Sequence, residues 1–418
     1  MAYCTSSQNL SVANSFAHDH STETPSPPDV SSLERTEKIR QINAACRDRD
    51  LPTLLNLATS KHGLVDDDLR RTAWPILLGC SEETSKNETP WRSLPAHRDE
   101  YQVGLDVNRA FVYYPKGESD RQLDRRKEEL SNVILEVLRR HPALCYSQGY
   151  HDIVQVFLLV LGAQDAPRAL TRLTLLRIRD FMLPSLDPVI AHLELLPPII
   201  KSVDTALYEH LPRIQASFAL AATLTLFAHV VQDYRDIARL FDFFLARETV
   251  IPVYLFAVIV LSRRDELLEI DDPDMLYVSL GKLPQPLDLE SLVTMTVSLY
   301  QDHPPESLHD RAWRRVSSYS VLKATKTPQD VMRQTIQQAE DFFRKQEIEL
   351  RRNQAITKAV TNLKTQFKVY KRPAGAISLA IAIGIYAWWL GRSGVPSHRF
   401  LGIGLLSDII KSVMRIVA

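Results

Sequence analysis

LSNVILEVLRRHPALCYSQGYHDIVQVFLLVL, residues 130–161, is the stretch from which the fold can be read. In its first half Leu130, Val133, Ile134, Val137 and Leu138 recur at steps of three and four, which stacks them on one face of a buried helix. Arg139, Arg140 and His141 then bring positive charge to the end where helix carbonyls point outward, and Pro142 follows as a stop. The second half, Gly149 to Leu161, predicts another buried helix, entered directly from the polar run Tyr146-Ser147-Gln148-Gly149. A glutamine on a loop at a helix entrance projects outward, while Val154, Phe157, Leu158 and Leu161 behind it fix its position.

Working outward, helical spacing continues from Thr36, and no convincing period-two alternation appears. Val112-Tyr113-Tyr114 before Pro115 is the best candidate for even a short extended piece, so the expected fold class is all-α. Loops are expected near Gly117, from Gly162 to Ala166 and from Pro184 to Pro188. Ile251 to Leu261 is apolar but short, which fits a core helix better than a membrane span. Residues 1–32 are rich in Ser, Thr, Pro and Asn and predict a disordered arm, with a multi-helix domain over 33–327.

After residue 328 the composition changes. Residues 328–372 are rich in Gln, Glu, Lys and Arg with modest apolar periodicity and predict a charged helical spacer, part of it free to pack on the domain. Residues 373–391 contain no Lys, Arg, Asp or Glu and predict one C-terminal transmembrane helix of roughly 28 Å, matched to a thin bilayer. Lys364, Lys368, Lys371 and Arg372 before the span, against Arg392 and Arg399 after it, keep the N-terminal side cytosolic. In the 392–418 tail, a second span would bury Asp408, Lys411 and Arg415 at a cost on the order of 7 to 10 kcal/mol. A short amphipathic helix at the interface fits instead.

Charge excludes one class of partner. Lys+Arg and Asp+Glu both number 50, and no basic stripe alternates with aromatics, so nucleic acid is not an expected ligand. Cys4, Cys46, Cys80 and Cys145 are scattered without metal-site spacing and read as free thiols in the cytosol. The N-terminus lacks a basic region followed by an apolar stretch, so no cleaved signal is expected.

Two polar motifs carry the chemistry: Val103-x-x-Asp106-x-x-Arg109 and Tyr146-Ser147-Gln148-Gly149. Guanidinium stays protonated and a carboxamide has no acid or base function near neutral pH, which is a poor outfit for a self-contained hydrolase. Both suit GTP hydrolysis, where charge on the transferring phosphoryl group must be neutralised and one water aimed. Asp106, three residues before Arg109, shares its face if the segment is helical and can orient the guanidinium.

Together the motifs resemble the arginine and glutamine fingers of the TBC-domain family of Rab GTPase-activating proteins. Two flanking segments extend the likeness: Leu69-Arg70-Arg71-Thr72-Ala73-Trp74-Pro75-Ile76-Leu77-Leu78-Gly79, which is similar to the family's opening segment, and Ala238 to Leu245. Val103, His151 and Phe241 depart from the commoner Ile, Asn and Trp. The combination of the glutamine motif with an apolar C-terminal segment resembles the membrane-anchored branch of the family, which implies an endoplasmic reticulum or possibly Golgi membrane with the domain cytosolic.

The resemblance implies that Arg109 and Gln148 act in trans on a GTP-bound Rab-type GTPase, the partner bringing GTP and Mg2+, so that this chain needs no cofactor or metal of its own. Tyr146, Gly149 and Asp152 would support the glutamine loop, Asp152 through backbone N–H groups or as a cap. Arg71 and Trp74 would pack or touch the GTPase, and Arg239 and Asp242 would form an internal ion pair. Two rival readings stand beside this one: a metal-dependent phosphohydrolase built on His151-Asp152, which needs further ligands such as His141, His210 or His229, and a membrane tether that binds a GTPase without accelerating hydrolysis.

Overall fold

The computed structural model describes residues 30–80, 89–211, 216–308 and 311–392, with side chains described from 33 to 365 within those ranges. Among the described residues there is no strand; the architecture is helical throughout. Tyr150–Arg177 is the central helix, flanked by Asp120–Arg140, Asp67–Leu77 and the start of Ile336–Arg392. Leu130, Val133, Ile134, Val137 and Leu138 are buried against it, as their spacing predicts. Each contributes about 1.5 to 3 kcal/mol of apolar burial.

Tyr150–Arg177 is apolar and long enough to cross a membrane, but most of it lies inside the protein, so it is a core helix. Gly162 (φ 76°, ψ 166°) breaks it where a loop to Ala166 is expected; the loop shrinks to one residue, and the helix resumes at once. Ile251–Ser262 is the expected core helix, buried from Ile251 through Val260. Val112, Tyr113 and Tyr114 form bends without strand pairing. Several helices are started by side-chain caps: Asp50 accepts from Thr53 N, Asp66 from Leu69 N, and Asp233 from Arg235 and Asp236 N.

Toward the C-terminus a helix begins at residue 328, where the composition changes. Pro328–Arg333 is a short helix, and a single helix then runs Ile336–Arg392 through both the expected spacer and the 373–391 segment. Its first turns belong to the body: Ala339, Phe343, Gln346 and Leu350 are buried, and Glu340 Oε1 lies 2.7 Å from His141 Nδ1. From Arg351 the described side chains are mostly exposed. The side chains of 373–391 and all of 393–418 lie outside the described residues. So do residues 1–29 of the expected arm; the first helix, Val30–Asp48, begins before that arm was expected to end.

Candidate functional site

The Glu100–Val107 helix ends just before Arg109, whose backbone N–H closes on Asp106 O at 3.0 Å. Asp106 is fully buried, whereas the Arg109 side chain is 64% exposed, and Arg109 Nη2 donates to Asp106 Oδ1 at 2.5 Å. A buried carboxylate thus holds one edge of an exposed guanidinium and restricts its aim. Gln102 Nε2 also donates to Oδ1 at 3.2 Å, and Tyr146 OH donates to Oδ2 at 3.0 Å. Asp106 therefore joins the arginine segment to the glutamine loop.

That loop is fixed from several sides. Tyr146 N donates to Asp99 Oδ2 at 2.8 Å, and its ring meets Tyr150 edge-on at 6.3 Å. Burial, reinforced by the Asp106 charge, pushes the Tyr146 hydroxyl well above the ordinary phenol range, so it stays protonated and keeps its proton for Asp106. Gln148 is exposed. Gly149 follows at φ 89°, and a Cβ there would come within 2.7 Å of Thr225 Cγ2, so both the backbone and the space require glycine. Tyr150 OH shares a hydrogen bond with Thr174 Oγ1 at 2.7 Å inside the core.

Asp152 behaves differently from expectation. It does not cap the helix: the helix begins without a side-chain cap, and the Asp152 carboxylate lies 3.0 Å from His229 Nδ1 and 3.3 Å from His151 Nε2. The other nitrogen of His151 is 3.6 Å from Asp106 Oδ2. Burial pushes the His151 pKa down, which keeps the ring neutral between the two carboxylates, whereas the bond to Asp152 pushes the His229 pKa up. Among the described residues no three His, Cys, Asp or Glu side chains are placed to hold a metal ion.

Gln155 escaped the sequence reading. Its Oε1 accepts from Phe111 N at 2.9 Å and its Nε2 donates to Tyr114 O at 3.4 Å, pinning the segment just after Arg109, where Phe111 sits at φ 63°. Its signal was present: a lone carboxamide inside the apolar run 153–161 has to find buried partners.

Beneath the site lies a second polar centre. Asp242 accepts from Arg70 Nε and Nη2 at 3.0 Å, from Trp74 Nε1 at 2.8 Å and from Leu64 N at 2.9 Å. Trp74 is buried and packs on Phe157 and Phe241 at 5.0 and 5.9 Å, so the indole serves packing. Arg71 is half exposed, bonded to Asp68 and to Val160 O. The expected Arg239–Asp242 pair is not formed. Arg239 instead binds Glu290 at 2.9 Å and the carbonyls of Ala58, Thr59 and Ser60, placing a cation at the C-terminal end of the Leu51–Thr59 helix.

The profile of the Rab-GTPase-TBC domain matches residues 67–268, which include Arg109, Gln148 and the Asp242 centre. The chain is 33% identical over 370 residues to human TBC1 domain family member 20, an alignment spanning 85% of this chain and 91% of that protein. It is 34% identical over 315 residues to the GTPase-activating protein gyp10 of Schizosaccharomyces pombe, covering 73% of this chain and 81% of that one. The crystal structure of the Ypt/Rab-GAP domain of Gyp1p superimposes with a TM-score of 0.52 at 16% identity, over 64% of this chain and 97% of that chain, which establishes a shared fold. With two polar motifs on one helical scaffold and relatives aligned along most of their length, the chain belongs to the Rab-GTPase-TBC domain family.

Proposed function

We propose that this Rab GTPase-activating protein completes its partner's active site in trans, with Arg109 neutralising charge on the transferring and leaving oxygens and Gln148 positioning the attacking water. The observation that carries the reading is the pairing of an exposed Arg109 with a fully buried Asp106, tied through Tyr146 to the loop that presents Gln148. Holding the guanidinium in place before the partner arrives removes part of the ordering cost from the catalytic step. The partner carries GTP and Mg2+, and the chain is an activator of a GTPase rather than an enzyme with a nucleotide site of its own.

The same reading places the domain at the cytosolic face of an early secretory membrane, anchored by residues 373–391. It is supported by the absence of Lys, Arg, Asp and Glu in that segment and the basic residues that precede it. The test is single-turnover GTP hydrolysis by a panel of Rab proteins with the full chain in detergent as wild type, Arg109→Ala or Gln148→Ala. Stimulation of one or a few Rabs that collapses in both variants supports the paired fingers. Binding without stimulation across the panel replaces this reading with a tether.

A further inference from the structure

We infer that His229 is a third group offered to the GTPase, donating from Nε2 to an acidic side chain on the partner's surface beside the pocket that Arg109 enters. The inference rests on the GTPase-activating reading above. His229 Nδ1 is engaged by Asp152 Oδ2 at 3.0 Å, which leaves Nε2 on the far edge of a side chain that is 61% exposed. Asp152 lies four residues after Gln148, in the first turn of the helix that the glutamine loop enters, so the imidazole stands beside that loop.

The segment that carries His229 is built onto that loop. Thr225 Cγ2 occupies the space left by the missing Gly149 side chain, and Thr225 Oγ1 accepts from His229 N at 3.2 Å. Tyr114 OH donates to Ala228 O at 3.3 Å, tying the same segment to the chain that follows Arg109. Leu226 and Phe227 both lie at positive φ, 48° and 66°, an unfavourable conformation for side-chain-bearing residues. It is held by the fully buried Phe227 ring and by the bonds that Val230 and Val231 N–H make to Phe227 O. A strained turn that ends in an exposed imidazole, gripped by a carboxylate from the finger helix, presents that imidazole in one orientation.

Protonation decides what Nε2 can do. With Nδ1–H bonded to Asp152, the neutral ring has only an acceptor at Nε2, and the protonated ring has a donor there. The groups facing the ring are Asp152 and, beyond it, His151 on the Tyr150–Arg177 helix, with Arg109 after the Glu100–Val107 helix and the Tyr114 hydroxyl below. The Asp152 bond outweighs the Arg109 charge and raises the His229 pKa. The donor is therefore present below that raised pKa and is lost as pH rises through it.

The experiment measures kcat and KM for the responsive GTP-loaded Rab from pH 6 to pH 8.5, using the full chain as wild type, Arg109→Ala, His229→Ala and His229→Lys, with thermal unfolding of each. His229→Ala is expected to raise KM about tenfold at pH 6.5 with kcat within about twofold, the size of one lost hydrogen bond to a charged group. Its KM should lack the wild-type rise with pH, and His229→Lys should restore low KM with a flat profile. A His229→Ala protein that matches wild type in KM and pH profile, while Arg109→Ala is inactive, overturns this inference alone. A loss confined to kcat overturns it in favour of contact with the phosphoryl group. Wild type that stimulates no Rab removes both this inference and the reading beneath it.

Discussion

At the scale of single residues, the site depends on groups that are fixed from behind and free in front. Arg109 meets Asp106 through one edge, so a point-charge ammonium cannot both keep that bond and spread donors over phosphoryl oxygens. Arg109→Ala and Arg109→Lys should each lose most of a stimulation that, for an arginine supplied in trans, is worth about 10³ to 10⁵ in rate, roughly 4 to 7 kcal/mol of barrier. Single-turnover hydrolysis checks this, and near-normal activity in Arg109→Lys would reject the finger assignment. Gly149→Ala tests the loop that presents Gln148. The positive φ and the contact with Thr225 should together cost about 1 to 3 kcal/mol, read as a lower unfolding midpoint in urea with reduced stimulation. Tyr146→Phe keeps the ring packing but removes the hydroxyl bond to Asp106; stimulation should fall more than stability does, as a comparison of hydrolysis rate with unfolding midpoint will show.

At the scale of elements, periodicity made the long helices legible, and contacts distant in sequence remained hidden. The face from Leu130 to Leu138 could be read because its apolar residues mark their positions on successive turns, and the core helix at Ile251 because its apolar run is too short to span a membrane. Arg109 and Asp106 were also readable, since they are three residues apart. Arg70 and Asp242 are separated by 172 positions and His229 and Asp152 by 77, and no local pattern announces such pairs. This is why Asp242 was matched to its near neighbour Arg239, which turns to Glu290 instead. That part of the expected spacer packs on the domain was allowed for, but which residues do so was hard to read for another reason. Ala339, Phe343, Gln346 and Leu350 keep helical spacing, but an alanine and a glutamine among them dilute the apolar signal. The Asp242 centre joins the Asp67–Leu77 and Tyr234–Ala246 helices, and Asp242→Asn leaves the buried Arg70 guanidinium without its full countercharge. A loss of about 3 to 5 kcal/mol is expected from equilibrium urea unfolding.

At the scale of the whole molecule, the proposed anchor would divide placement, left to the C-terminal helix, from recognition by the helical body. If 373–391 is the anchor, removing 373–418 should release the protein from membranes while leaving stimulation in solution intact. Flotation or pelleting with membrane fractions checks it, and a truncated chain that still pellets contradicts a single anchor. The Ile336–Arg392 helix leaves the body at about Leu350 and runs on through residues 373–391. At 1.5 Å per residue, the stretch between Leu350 and residue 372 spans roughly 33 Å. With 373–391 in a bilayer, a strut of that length would work as a ruler: it would set a stand-off height, so that the domain would engage only those GTPases whose own lipid tether reaches that far from the membrane, whatever their intrinsic affinity.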